Sequence, residues 1–258
     1  MGIMSGLSEY MLRNRETYGF SGRLLTLGAQ TVFLLPSQMK SVCTELGVPA
    51  SIEVKQNALN IDEEDLFVSA ECYFKTLGAN TVQALDVSNY QNAEILFDLS
   101  NQKLPSNLEH SADCIFDGST TEHIFDCYQV FRNLHKILAP GGLMCHLSPL
   151  EGLAHDSFYQ FGLNFFDELY SANNYTKISH QIYVYDYEHL IYASTKVDKV
   201  GNDWFFDNPE EGLKFARSKN LPAQHLFRAK KPEGATAPLV APFQGRYYNN
   251  VAWKAGVE

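Results

Sequence analysis

Hydrophobic positions in this chain follow two patterns. Short unbroken apolar runs alternate with segments in which apolar residues recur every three or four positions. The first pattern reads as buried strands, the second as amphipathic helices. The run at 23–27 carries Leu24, Leu25 and Leu27 and stops at Gly28, which permits a sharp turn. A second run at 31–35 is ended by Pro36. The runs at 82–86, 95–98 and 114–118 close on Asp86, Asp98 and Asp117. Further strands are predicted over 143–147, ahead of Pro149, and over 178–187 with a hairpin partner at 190–195. Helices are predicted over 37–46 with Ser37 as cap, over 71–77, over 124–138 with Thr120 or Thr121 as cap, and over 165–172. Pro140-Gly141-Gly142 should end the third of these. Ligands of parallel sheets bind beyond the carboxyl ends of the strands. Three strands that each close on an acid therefore predict one ligand-binding edge.

The remaining segments set the boundaries. Residues 1–22 read as a helical leader, either a plain surface helix or an approach lying over a ligand site. Residues 23–197 form the main α/β domain, and 198–258 an extension packed on it or on a partner. The acidic stretch Asp62, Glu63, Glu64 and Asp65 reads as a solvated face or a helix start. The segment between Asp86 and Ile95 is too short and too polar for a full crossover helix.

Composition narrows the classes. With 258 residues and 45% hydrophobic content the chain can bury a large core. Twenty Lys and Arg against 30 acids give a formal charge of −10, which disfavours a broad nucleic-acid footprint. No run is long enough to cross a bilayer. Five scattered cysteines without a CxxC pair argue against a disulfide framework or structural zinc. No acid cluster supports a metal. A reducing, cytoplasmic setting follows, and a homodimer is compatible with these features.

The segment Ser111 to Phe125 contains Asp117-Gly118 and Glu122-His123. With the Leu138-Ala139-Pro140-Gly141-Gly142 turn, it resembles the class I S-adenosylmethionine-dependent methyltransferases, in the branch that serves sugar, polysaccharide and natural-product pathways. The resemblance covers roughly 24–195. It implies a Rossmann-like, mostly parallel seven-stranded sheet with a terminal antiparallel hairpin and helices on both faces. It also implies roles by position. Gly28 and Gln30 stand at the glycine-rich cofactor loop, and Asp86 with Val87 at the ribose. Asp98 and Leu99 stand near the adenine, and Asp117 with Gly118 beside the methionine part. The loop reading Gly152 to Phe161 matches that branch after the fifth strand. The departure is at the first motif, where only Gly28 remains. Gln30 there either bonds the cofactor or blocks it.

Methyl transfer to a hydroxyl needs alignment and a base. His155 is the first candidate base and Glu122 the second. His123, Asp156, Tyr159 and Phe161 are candidate substrate contacts, the aromatics by stacking on a sugar or ring. His146 lies inside a strand and reads as core. The expected activity is transfer of a methyl group to a small molecule, most simply a sugar hydroxyl. A fold kept as an interaction or structural subunit without cofactor is the alternative. A dinucleotide enzyme is weaker, because Gly28 lacks the G-x-G-x-x-G company.

Overall fold

The computed structural model describes residues 2–49, 52–56, 66–89, 91–153, 156–185, 204–235 and 237–242. In chain order the elements are β1 (Gly2–Ile3), α1 (Ser5–Arg13), α2 (Arg15–Tyr18), β2 (Arg23–Leu27), β3 (Thr31–Val32), α3 (Pro36–Glu45), β4 (Val54–Gln56), β5 (Leu66–Val68), α4 (Ala70–Thr76), β6 (Thr81–Asp86) and β7 (Ile95–Leu96). They continue with β8 (Ala112–Gly118), α5 (Cys127–Ile137), β9 (Leu138–Glu151), α6 (Phe165–Ala172), β10 (Thr176–Val184), β11 (Trp204–Phe206), α7 (Pro209–Lys219) and β12 (Ala223–Lys230).

Among the described residues, one eight-stranded sheet runs β11-β10-β12-β9-β8-β2-β6-β7. Strands β7, β6, β2, β8 and β9 are parallel, while β12 is antiparallel to both β9 and β10, and β11 to β10. The connections leave β2 in opposite directions, toward β6 and then β8, so the order reverses between β2 and β8. A crevice at the carboxyl ends of those two strands is where an open sheet of this kind takes its ligand. The architecture is the Rossmann-like one that the resemblance implies, with β11 as an eighth strand.

Alternating residues cover both faces, as a parallel sheet requires. Leu24, Cys114, Phe116, Cys145 and Leu147 pack with Leu7 and Met11 of α1, Met39 of α3 and Phe74 of α4. Leu25, Ile115 and Met144 pack on the other face with Val130, Phe131 and Leu134 of α5 and Phe166 of α6. The leader is therefore no plain surface helix: Leu7, Met11 and Leu12 are buried, and β1 pairs in parallel with β3.

Several boundaries differ from the sequence reading. Helix α3 starts one residue early, at Pro36, which suits a first helical position because it has no N–H to satisfy. Gln38 Oε1 accepts the Leu35 N–H at 2.9 Å, so Ser37 is not the cap. Helix α5 starts at Cys127, later than expected, and is capped by Asp126, whose carboxylate accepts from the Gln129 N–H. Thr120 and Thr121 do not cap it, because they belong to the separate turn Thr121–His123 ahead of the helix, where their hydroxyls donate to Leu27 O and Asp117 Oδ2. Strand β9 begins directly at Leu138 and runs on to Glu151, through Pro149. Its pairing with β8 ends at Leu147, so the proline sits where β9 has a partner on one side only. The partners of β10 are β11 and β12. The expected hairpin strand at 190–195 lies outside the described residues, as does the acidic stretch 62–65. Strand β12 sits inside the sheet between β9 and β10, so a boundary at 197/198 would cut through one sheet.

Candidate active site

The site begins with Asp117 at the carboxyl end of β8. Its side chain is fully buried. Oδ1 accepts the N–H groups of Thr120 at 3.0 Å and Thr121 at 3.3 Å. Oδ2 accepts the Thr121 hydroxyl at 2.6 Å and faces His146 Nδ1 at 2.8 Å. His146 Nε2 lies 2.5 Å from the Tyr170 hydroxyl. Burial pushes the Asp117 carboxyl up, and the hydrogen bond and charge of His146 outweigh it, leaving it below its ordinary value. Both oxygens of Asp117 are thus engaged within the protein. It anchors the turn that follows β8. His146, expected as core, is core and also the partner that holds Asp117.

The anchored turn is a single 3-10 turn, Thr121–His123. It carries Glu122 with no exposure to solvent. Glu122 Oε2 accepts from Ser148 Oγ at 3.2 Å, while Oε1 has no partner. Burial, and next the negative charge of Asp117, push this carboxyl up to about 8. A cavity of about 340 Å³ opens in front of it. Its polar lining is Ser119, Glu122, His123, Asp156, Ser157 and Gln224, and its apolar lining includes Met4, Phe33, Leu153 and Tyr185. Gly2 and Met4, at the entry to α1, line the same cavity. Burial lowers the basicity of His123. Gln224 Nε2 donates to Ser119 Oγ at 3.2 Å, and Ser119 has a left-handed backbone (φ 64°). Strain of that kind collects at functional sites.

The candidate cofactor residues lie along the same sheet edge. Gly28 (φ 71°) makes the turn out of β2, its N–H donating to Leu85 O at 2.7 Å. Gln30 is buried; Nε2 donates to Leu27 O at 2.7 Å, and Oε1, without a hydrogen-bond partner, lies against Gly118. Asp86 closes β6 and accepts the Ser88 N–H through Oδ1 at 2.9 Å. Val87 beside it is 72% exposed, free to meet a ligand face. Asp98 accepts from the Ser100 N–H and hydroxyl. Leu99 is instead buried against α5, and its carbonyl accepts from Asn133 Nδ2 at 2.9 Å.

The sequence candidates therefore divide. Glu122, His123 and Asp156 meet on one cavity. Gly28, Gln30, Gly118 and Asp86 meet on the strand ends. Phe161 is buried among Phe131, Phe165 and Phe166, and Tyr159 donates its hydroxyl to Phe125 O at 2.6 Å, so neither lines the cavity. Phe161 is part of the core, and Tyr159 packs against its edge only partly buried. His155 lies outside the described residues. Ser119, Ser148 and Gln224 were not anticipated. Gln224 sits on β12, in what reads as an extension, and no sequence signal brings it to β8.

No family model matches the chain, and no curated protein matches it. Among solved structures, it is similar to the 1,6-didemethyltoxoflavin-N1-methyltransferase of Burkholderia thailandensis, a complex with 1,6-didemethyltoxoflavin and S-adenosylhomocysteine. The identity is 14%, over 87% of this chain and 76% of that one, with a TM-score of 0.41. It is also similar to an S-adenosylmethionine-dependent methyltransferase of Mesorhizobium loti, at 14% identity over 88% and 99% of the two chains, with a TM-score of 0.42. At such values the fold description stands on the strand order itself.

Proposed function

We propose that the chain is an S-adenosylmethionine-dependent methyltransferase acting on a hydroxyl of a small molecule, of the sugar or glycan-precursor class. The observation that carries this reading is Glu122, a buried carboxyl with one oxygen unpaired, in the lining of a ligand-sized cavity at the carboxyl edge of the sheet. A buried polar atom without a partner is costly, and a functional role is one reason a protein keeps one. The residues present fit the cofactor. Asp86 stands where a carboxylate can accept from a ribose diol. Gln30 Oε1 is an acceptor without a partner beside Gly118, suited to an ammonium. Gly28 lets the backbone turn close by, and Val87 and Asp98 flank the adenine position. When bound, the cofactor supplies the methyl group as an electrophile.

The chain's own part is alignment and a proton. A hydroxyl acceptor seated in the cavity donates to Glu122 Oε1, and the carboxylate form of Glu122 takes that proton. A base whose pKa lies near the working pH is efficient, and the pKa of this one lies at about 8. His155 is the other candidate for the same proton. The rate should rise with pH through about 8 as the carboxylate form accumulates. The test is transfer of an isotope-labelled methyl group to a panel of monosaccharide acceptors by wild type and Glu122→Gln. A labelled product with wild type, reduced by about 10² to 10⁴ in the variant, supports the assignment. Equal transfer by both removes Glu122 as base.

A further inference from the structure

One buried side chain in the cavity lining has no part yet in the reaction: Gln224, only 8% exposed. We propose that Gln224 is a specificity-determining residue. Its side-chain oxygen accepts a hydrogen bond from a second hydroxyl of the methyl acceptor, so the site takes a polyhydroxylated molecule ahead of a lone alcohol. The inference rests on reading this cavity as the acceptor site.

The sheet brings Gln224 to the site. Side chains two apart on a strand share a face. Gln224 therefore continues the face of Leu226, which is paired with Leu147 and lies with it in the core. Two residues nearer the sheet edge, Gln224 stands opposite Pro149, beyond the ladder between β8 and β9. The β9–β12 register shifts between Ala223 and Gln224, and irregularities of this kind gather beside active sites, where they re-aim side chains. The orientation of the amide follows from donor counting. Ser119 Oγ donates its one proton to Leu147 O at 3.2 Å. Toward Gln224 it can only accept, so the amide turns Nε2 to Ser119, at 3.2 Å, and its oxygen away. Among the described residues, Gln224 Oε1 has no hydrogen-bond partner. Glu122 Oε1 is a second acceptor without a partner in the same lining. Both side chains are tied to one end of β9, Glu122 through Ser148 and Gln224 through its pairing with Pro149. A buried acceptor left unsatisfied is costly. A lone alcohol satisfies one of these oxygens and leaves the other unpaired. A molecule with further hydroxyls satisfies both. A polar site discriminates in this way, because the analogue lacking a hydroxyl leaves a protein group without its partner.

The experiment is a proton–nitrogen NMR titration of the full chain, labelled with nitrogen-15, without cofactor. Gln224→Leu identifies the Gln224 side-chain amide pair by its loss. The probes are myo-inositol and methyl β-glucopyranoside as polyols, and cyclohexanol as a lone alcohol on a ring of the same size. In wild type, a polyol should shift the Gln224 amide pair saturably in the millimolar range, and cyclohexanol should leave it in place. In Gln224→Leu, polyol affinity, followed on the backbone amides of the cavity lining, should fall about tenfold while cyclohexanol affinity holds. An amide pair unmoved by both polyols, or moved equally by cyclohexanol, overturns the proposal, and neither result needs a variant to fold. Unchanged polyol affinity in folded Gln224→Leu overturns it as well, and is what a Gln224 that only buttresses Ser119 would give. The titration uses no methyl donor, so its failure leaves the methyltransferase reading standing, and failure of cofactor binding leaves the titration valid.

Discussion

The side-chain amide of Gln30 lies across Gly118, in the space that a β-carbon at position 118 would occupy. Gln30 comes from the turn after β2 and Gly118 closes β8, so the pair spans the point where the sheet order reverses. The amide is held by Leu27 O, which also accepts the Thr120 hydroxyl at 2.6 Å. Gly118→Ala should overpack this crevice and cost about 1–3 kcal/mol by urea denaturation. Gln30→Ala should relieve most of that in the double variant. Simple additivity of the two would contradict the contact.

Glu122 gives the folded protein an unusual pH dependence. Its folded pKa, near 8, lies above the ordinary 4.5 expected in the unfolded chain. Between those values the folded state holds more protons, so this contribution to stability falls as pH rises from about 4.5 to 8. Glu122→Gln cannot lose that proton. The variant should therefore gain on wild type by on the order of a few kcal/mol across this window. Parallel stability profiles for the two proteins would show that Glu122 titrates normally.

Two buried histidines act in the opposite sense. His225 donates toward Phe161 O at 2.8 Å, and burial lowers it to about 3. His135 contacts Tyr175 Oη and Ala237 O, and burial lowers it to about 4. Below 6.5 the unfolded chain takes up protons that these rings refuse, so stability falls as pH drops from about 6.5 toward 4. Urea midpoints at descending pH should show this loss, and His225→Asn should flatten part of it. An undiminished acid loss in the variant would assign it elsewhere.

Lys231 is buried and donates to His135 O at 2.6 Å and Leu138 O at 2.8 Å, closing the end of α5. Lys231→Met keeps the volume and removes both donors, leaving two buried carbonyls without them. A loss of about 1–3 kcal/mol is expected. A change within about 0.5 kcal/mol would mean that water replaces the ammonium.

Much of this was legible in the sequence, for physical reasons. Strands with long apolar runs, such as β2 and β8, declare themselves because both faces are buried. The acids closing β6 and β8 come to one edge of the sheet, as their strand-end positions predict, and Glu122 is found beside it. What stayed hidden depends on distant partners. Nothing in the sequence shows that Thr120, Thr121 and His146 engage both oxygens of Asp117. Strand β12 carries Gln224, His225 and Arg228, a polar pattern that hides a strand in the middle of a sheet. Pro149 reads as a strand end because the one-sided pairing that tolerates it is invisible locally. Phe161 and Tyr159 read as a stacking platform because core and ligand stacking share one composition.

Asp86 is the residue on which cofactor binding should depend most, since it stands at the expected ribose. Asp86→Ala should fold normally, its carboxylate being partly exposed and bonded mainly to its own turn. It should weaken S-adenosylhomocysteine binding by about tenfold or more, the loss of a charge-assisted hydrogen bond of about 1.5–3 kcal/mol. Unchanged affinity in the folded variant would move the ribose elsewhere.

The most direct measurement is calorimetric titration of the wild-type protein with S-adenosylhomocysteine, read beside intact-complex mass spectrometry of the protein as purified. The account predicts saturable one-to-one binding in the micromolar range, and a copurified adenosyl ligand where occupancy survives purification. No heat and no mass shift at millimolar ligand would contradict it, and would mean that Gln30 closes the crevice of a fold kept without its cofactor.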